Sequence, residues 1–238
     1  MKHLSILLCF ALTLVAVPGF AEDKNKLDQL FEDAAKAAGM IKDRGKPRQV
    51  DKTKFPQIII KGSEVRYNGQ VLKFGDTFVK WESVLGKSSR FTRSIYTWDN
   101  LGVIVYLKGE QRQEGWRNTN KISEMVIYLN FKPKDPFWDG DFITTNPDGT
   151  PSKPPPDFKP KKSFPGYLEI DGAGVDRTSK VWEVNANKNM FGDPAKHRFR
   201  RAHLPTIYSA LTPPPELHMQ FNTDEKGQEG TIYKFTIN

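Results

Sequence analysis

The sequence predicts an α+β fold: two tandem units of antiparallel strands, each with a short helix, preceded by one N-terminal amphipathic helix. Three observations carry this. Apolar residues recur at helical spacing from Lys24 to Ile41; β-branched and aromatic runs take over from Phe55, broken by the turn pairs Asn68-Gly69 and Asp171-Gly172; and the order hairpin, capped short helix, antiparallel strands occurs twice.

The chain opens with Lys2, an apolar run from Leu4 to Val17, a Pro-Gly break and the small residues Gly19 and Ala21. This is the three-part secretory signal pattern, so residues 1–21 are expected to be removed after Ala21. At about 14 residues the apolar run is shorter than the roughly 20 that a spanning helix needs. Cys9, the single cysteine, leaves with the signal, so no disulfide or thiolate metal site is expected afterwards. Export without cysteines fits a bacterial periplasm, and no cysteine follows the cleavage point to carry a lipid.

Residues 22–54 read as the N-terminal helix and a basic connector. Leu27, Leu30, Phe31, Ala34, Ala38 and Ile41 form one narrow apolar stripe, suited to packing on the main body. The sequence "KDRGKPRQVDKTK" follows as a solvated link. Residues 55–131 form the first α+β unit: a hairpin around Asn68-Gly69, a helix capped by Asp76 or Thr77 and ended by Gly86, then strands around Asp99-Asn100-Leu101-Gly102. Residues 132–165 hold nine of the 17 prolines and read as a polyproline-like connector, because proline fixes φ and removes backbone donors. Residues 166–238 form the second unit, with Asp171-Gly172 answering Asn68-Gly69, Thr178 or Ser179 as the cap, and Trp182-Glu183 answering Trp81-Glu82. "NKNMFGDPAKHRFRRAHLP" is an insertion in this half.

The chain offers little that looks catalytic. It has no G-x-S-x-G, no H-E-x-x-H and no phosphate-binding glycine loop, and "DGAGVD" reads as a hairpin turn. His197, His203 and His218 are the histidines beyond the signal, and two of them flank the basic run "RFRRA", an unfavourable field for a metal ion. Asp135, Asp139 and Asp141 stand together in "KDPFWDGDF", where a hydrolase would use two as acid and base, but aspartates beside glycine and proline are ordinary turn formers. Asp99 is read as a hairpin-turn residue, because the counterpart stretch "PTIYSALTPPPELHMQFN" keeps the Ile-Tyr entry and changes the positions of Trp98 to Asn100. No enzymatic activity, cofactor or metal is expected.

Binding is the better reading of the remaining features. Thirty-six Lys and Arg against 28 Asp and Glu give a net charge of +8, which favours an acidic partner; in an exported protein that is a protein before nucleic acid. The partner-contact candidates are Trp98 and Asp99, the aromatic loop Phe137, Trp138, Asp139 and Phe142, and the basic cluster Lys196, Arg198, Phe199, Arg200 and Arg201, since arginine and aromatics dominate interface energetics.

The stretches "YNGQVLKFGDTFVKWESVLGKSSR", "SIYTWDNLGVIVY", "GYLEIDG", "LPTIYS" and "GTIYKFTIN" resemble a family of periplasmic immunity proteins of type VI secretion phospholipase effectors. The resemblance covers most of Ile58 to Asn238 outside the proline-rich connector, and its motifs are structural. It implies an exported protein that binds and silences a secreted lipase toxin, with no catalytic residue to carry over. The layout is also similar to that of tandem-repeat inhibitors of β-lactamases. The alternatives are a secreted hydrolase using Asp135, Asp139 or Asp141, and a non-catalytic envelope scaffold.

Overall fold

The computed structural model describes residues 24–39, 42–92, 94–108, 120–130, 159–188, 195–201, 207–210, 217–221 and 229–238. The chain divides into two units, Met1–Gly45 with Asn189–Gly192, and Lys46–Lys188 with Asp193–Asn238. In the first lies helix α1, Lys24–Ala37, shorter than the stripe predicted. It stops there because Gly39 turns to φ 69°, a left-handed conformation that glycine adopts without steric cost.

The second unit carries the strands. Its first half holds β1 (Gln57–Lys61), β2 (Glu64–Tyr67), β3 (Gln70–Leu72), α2 (Phe78–Leu85), β4 (Arg90–Thr92), β5 (Ile95–Trp98), β6 (Val103–Lys108) and β7 (Lys121–Tyr128). Its second half holds β8 (Tyr167–Ile170), β9 (Ala173–Val175), α3 (Val181–Asn185), β10 (Arg200–Arg201), β11 (Ile207–Ala210), β12 (Leu217–Phe221) and β13 (Ile232–Ile237). Among the described residues these build a five-stranded sheet, β3-β2-β1-β8-β9, and an eight-stranded one, β10-β11-β12-β13-β7-β6-β5-β4.

The mixed α+β class is therefore as the sequence predicts, but the two halves are not separate tandem units. Each sheet takes strands from both halves. β1 runs parallel to β8, with Ile58 opposite Leu168 and Ile60 opposite Ile170, and β7 runs antiparallel to β13, with Ile127 opposite Phe235. The alternation on each strand explains why: Ile58, Ile60, Val65, Leu168, Ile170 and Val175 from one sheet share a core with Val103, Val105, Met125, Ile127, Met219 and Phe235 from the other.

Two correspondences between the halves also move. Asn68 (φ 47°) and Gly69 (φ 83°) do form a tight turn of the primed type, as do Asp171 (φ 50°) and Gly172 (φ 86°). The β1–β8 register, however, sets Asp171-Gly172 beside the β1–β2 turn at Gly62, one hairpin earlier than Asn68-Gly69. Likewise α2 begins after Thr77 and α3 after Lys180, so buried Trp81 answers buried Val184, and Trp182 lies on another face. The cap of α3 is Lys180, not Thr178 or Ser179; its N–H donates to Glu183 Oε2 at 2.7 Å. What does recur is a bridge from each cap to the foot of the last strand of its half, Thr77 to Lys121 and Lys180 to Thr231.

The end of the proline-rich segment is not a free linker. Lys161 N–H donates to Asp99 Oδ1 (3.1 Å), Lys162 N–H to the Asp99 carbonyl (3.0 Å) and Phe164 N–H to the Tyr128 carbonyl (2.6 Å), and the Phe164 ring enters the core. The opposite face of the eight-stranded sheet holds a smaller cluster, Ile104, Val126, Tyr128 and Tyr233, with Lys234 Nζ 5.3 Å from the Tyr128 ring centre.

Candidate functional site

The basic cluster is held by a buried polar hub. Asp171 sits at the first position of its hairpin turn, where φ is positive and aspartate is among the few tolerated side chains. Its Oδ1 accepts the Gly62 N–H at 2.7 Å; its Oδ2 accepts the His197 N–H at 2.6 Å and lies 2.9 Å from His197 Nδ1. Both side chains are out of water, at 1% and 0% exposure. Burial works against the Asp171 carboxylate, but the hydrogen bonds from His197 and Gly62 outweigh it and hold its pKa below the ordinary value.

Two residues further on, Asn185 grips the chain again. Its Oδ1 accepts the Phe199 N–H and its Nδ2 donates to the Phe199 carbonyl, both at 2.9 Å, as a neighbouring strand would. The Phe199 ring is buried, 5.7 Å from that of Phe235. Anchored at 197 and 199, the segment brings Lys196, Arg198 and Arg200 to the intervening positions, the first two half-buried and the third exposed. Arg200 and Arg201 form β10, which among the described residues pairs with β11 at an edge of the eight-stranded sheet. The basic cluster is thus a cationic rim on a fixed base, with Phe199 an anchor inside the core.

The other predicted contacts fall elsewhere. Trp98 is buried and donates its indole N–H to the Gly86 carbonyl at 2.8 Å. Asp99 is buried at the β5–β6 turn, where Arg90 binds it with Nη2 at 3.1 Å and Nε at 3.2 Å, and its own N–H donates to Ser89 Oγ at 3.0 Å. Since Arg90 also donates to the Lys159 carbonyl and Asp99 holds Lys161, the pair fastens segment 159–164 to this turn. Asp99 is a turn residue, as read from sequence, but both it and Trp98 are spent on internal contacts and present no docking surface. Phe137, Trp138, Asp139 and Phe142, with Asp135 and Asp141, lie outside the described residues, as does His203.

Sequence reasoning missed a groove of about 720 Å³ on the far side of the Asp171 turn, lined by residues 46–52, Tyr167 and Gly172–Gly174, with Glu183 and Asn187. Arg48 fixes one wall: its Nη2 meets Asp176 Oδ1 at 3.0 Å, its Nε lies 3.3 Å from Glu183 Oε1, and its N–H donates to the same oxygen at 3.1 Å. Burial raises the Asp176 carboxyl, but Arg48 and Thr178 bring it down to about 2. Asn187 ties the groove to the hub, donating to the Asp171 carbonyl at 2.8 Å. The readable signal was the Asp-Gly turn itself, which needed only a partner for its carboxylate.

Behind Asn187, Lys188 is 6% exposed; it donates to the Val184 carbonyl and, at 3.1 Å, to Asn187 Oδ1. Burial lowers its pKa to about 8, with Asp171 opposing the shift. Below pH 8 the amine is charged both folded and unfolded, and folding bears the full burial penalty. As pH rises from about 8 towards the unfolded value of 10.5 that penalty is relieved, so stability gains. Lys188→Met is expected to raise stability at pH 7 by about 1 kcal/mol, the unit value of a pKa shift being ~1.4 kcal/mol, and to flatten the rise between pH 8 and 10.5. Urea midpoints of both proteins across that window measure it; a lower midpoint at pH 7 sinks the reading.

Among the described residues no group of three or more His, Cys, Asp or Glu could hold a metal ion, and no helix is long and apolar enough to cross a membrane. Residues 57–185, more than half of the chain, match the family described as a domain of unknown function, DUF7738. The match runs from β1 to the end of α3 and stops short of the basic cluster. No curated protein and no solved structure matches the chain significantly.

Proposed function

We propose that this chain, which belongs to the DUF7738 family of domains of unknown function, is a non-catalytic inhibitor exported to the periplasm. There it binds and neutralises a secreted antibacterial effector, a lipase of the type VI secretion kind, by occluding its active or membrane-docking surface. The carrying observation is the preorganised cationic rim: Lys196, Arg198 and Arg200 stand on a backbone pinned by Asp171 and Asn185. A solvated insertion has no need of two side chains spent on its main chain. Fixing the backbone that carries the charges before the encounter reduces the entropy lost on binding, and a cationic edge steers an acidic partner. The matching bridges Thr77–Lys121 and Lys180–Thr231 support a duplicated α+β ancestor whose copies merged into common sheets.

The test is titration of a purified phospholipase effector of the type VI secretion kind with the full chain, reading hydrolysis of a phospholipid. Stoichiometric loss of activity is expected. Arg198→Glu/Arg200→Glu should weaken inhibition at least tenfold, more at low salt than at high, because exposed charges are screened. An effector unaffected by excess protein, or phospholipid hydrolysis by this chain alone, overturns the proposal.

A further inference from the structure

We infer that the groove beside β9 takes an extended acidic segment of the partner protein, added as a strand to the free edge of the five-stranded sheet. This rests on the inhibitor reading for the identity of the partner, but on separate residues for the site.

Among the described residues β9 is an edge strand. In its two-residue hairpin with β8, Ile170 and Ala173 flank the turn and share hydrogen bonds, so Gly174, opposite Glu169, has its N–H and C=O on the outer side. The β1 side agrees: Tyr167 and Asp171 N–H groups donate to Pro56 and Ile60, which puts the odd-numbered residues of β8 towards β1. Gly174 therefore offers one donor and one acceptor to the groove it lines. It has no side chain to obstruct a strand, and a Cβ there would stand 2.9 Å from Val50 Cβ, so only glycine fits.

The opposite wall selects the charge of the occupant. From residue 46 to 55 the chain reads "KPRQVDKTKF". Arg48 is committed to Asp176 and Glu183, and Asp51 is turned back onto Thr53. Of the lysines that line the groove, Lys46 is exposed and Lys52 is 70% exposed with its Nζ 3.5 Å from Glu169. Lys46 and Lys52 on one wall, facing a strand edge on the other, fit a peptide with acidic side chains joined by main-chain bonds.

The probe is an acetylated octapeptide alternating glutamate and valine, with the lysine–valine peptide as control, added to the ¹⁵N-labelled full chain. The acidic peptide should shift the Gly174 amide signal and slow its hydrogen exchange, and Lys46→Glu/Lys52→Glu should weaken it at least tenfold. An unmoved Gly174 amide, equal binding of both peptides, or a dimer of this chain that protects Gly174 without peptide overturns the proposal. If the effector is inhibited as before by the Lys46→Glu/Lys52→Glu protein, the groove assignment fails and the inhibitor reading stands. If the peptide binds at Gly174 but no effector is inhibited, the reverse holds.

Discussion

Gly166→Ala is expected to be among the most damaging single substitutions, lowering stability by about 3 kcal/mol or more. A Cβ at this position would stand 1.7 Å from the Pro56 carbonyl oxygen and 2.7 Å from its carbon. Both are backbone atoms, so no rotamer change relieves the clash. The same carbonyl accepts the Tyr167 N–H at 3.0 Å, the first rung of the parallel β1–β8 pair. Pushing Pro56 away therefore unzips the join between the halves, which should show as a large fall in urea midpoint with loss of cooperativity. A variant that unfolds like the wild type would mean that the β1–β8 junction is not as close as described.

Asp171→Ala is expected to cost about 3 kcal/mol or more, because it leaves the Gly62 N–H and both His197 donors buried without their acceptor. The pH dependence has a definite sign. The folded-state pKa of Asp171 lies below the ordinary 3.8, so its contribution is complete above that value and is lost as pH falls through the folded pKa. Asp176, held at about 2, contributes in the same window. Midpoints measured from pH 6 to 2 should therefore fall steeply in the wild type and less so in Asp171→Ala. Equal acid limbs would remove Asp171 as the hub. On the inhibitor proposal the same variant should also weaken inhibition, since it frees the backbone beneath Arg198.

Local features were legible in the sequence because their causes are local. Asn68-Gly69, Asp171-Gly172, the Gly86 stop and the strand around Val103 follow from turn chemistry and period-two patterning. The parallel β1–β8 pair was not, since nothing within "QIIIK" or "YLEI" says that they are neighbours across more than a hundred residues. Asn68-Gly69 and Asp171-Gly172 look alike as turns, and only strand register shows that the second belongs beside Gly62. The same limit applies to His197. Its sequence neighbours are cationic, and a positive field is what they suggest, but folding sets Asp171 against it from 26 residues away. Trp182 misled through composition: it repeats a Trp-Glu pair, whereas burial on a helix depends on distance from the cap.

The position of β13 has a consequence for the order of events during synthesis. It lies later in the chain than every other strand, yet it fills the middle of the eight-stranded sheet between β12 and β7. Until residues 232–237 emerge, β7 has an open edge and the sheet is two disconnected pieces. A nascent chain cannot join the two pieces of this sheet before residues 232–237 are made, so their strand edges stay open until then.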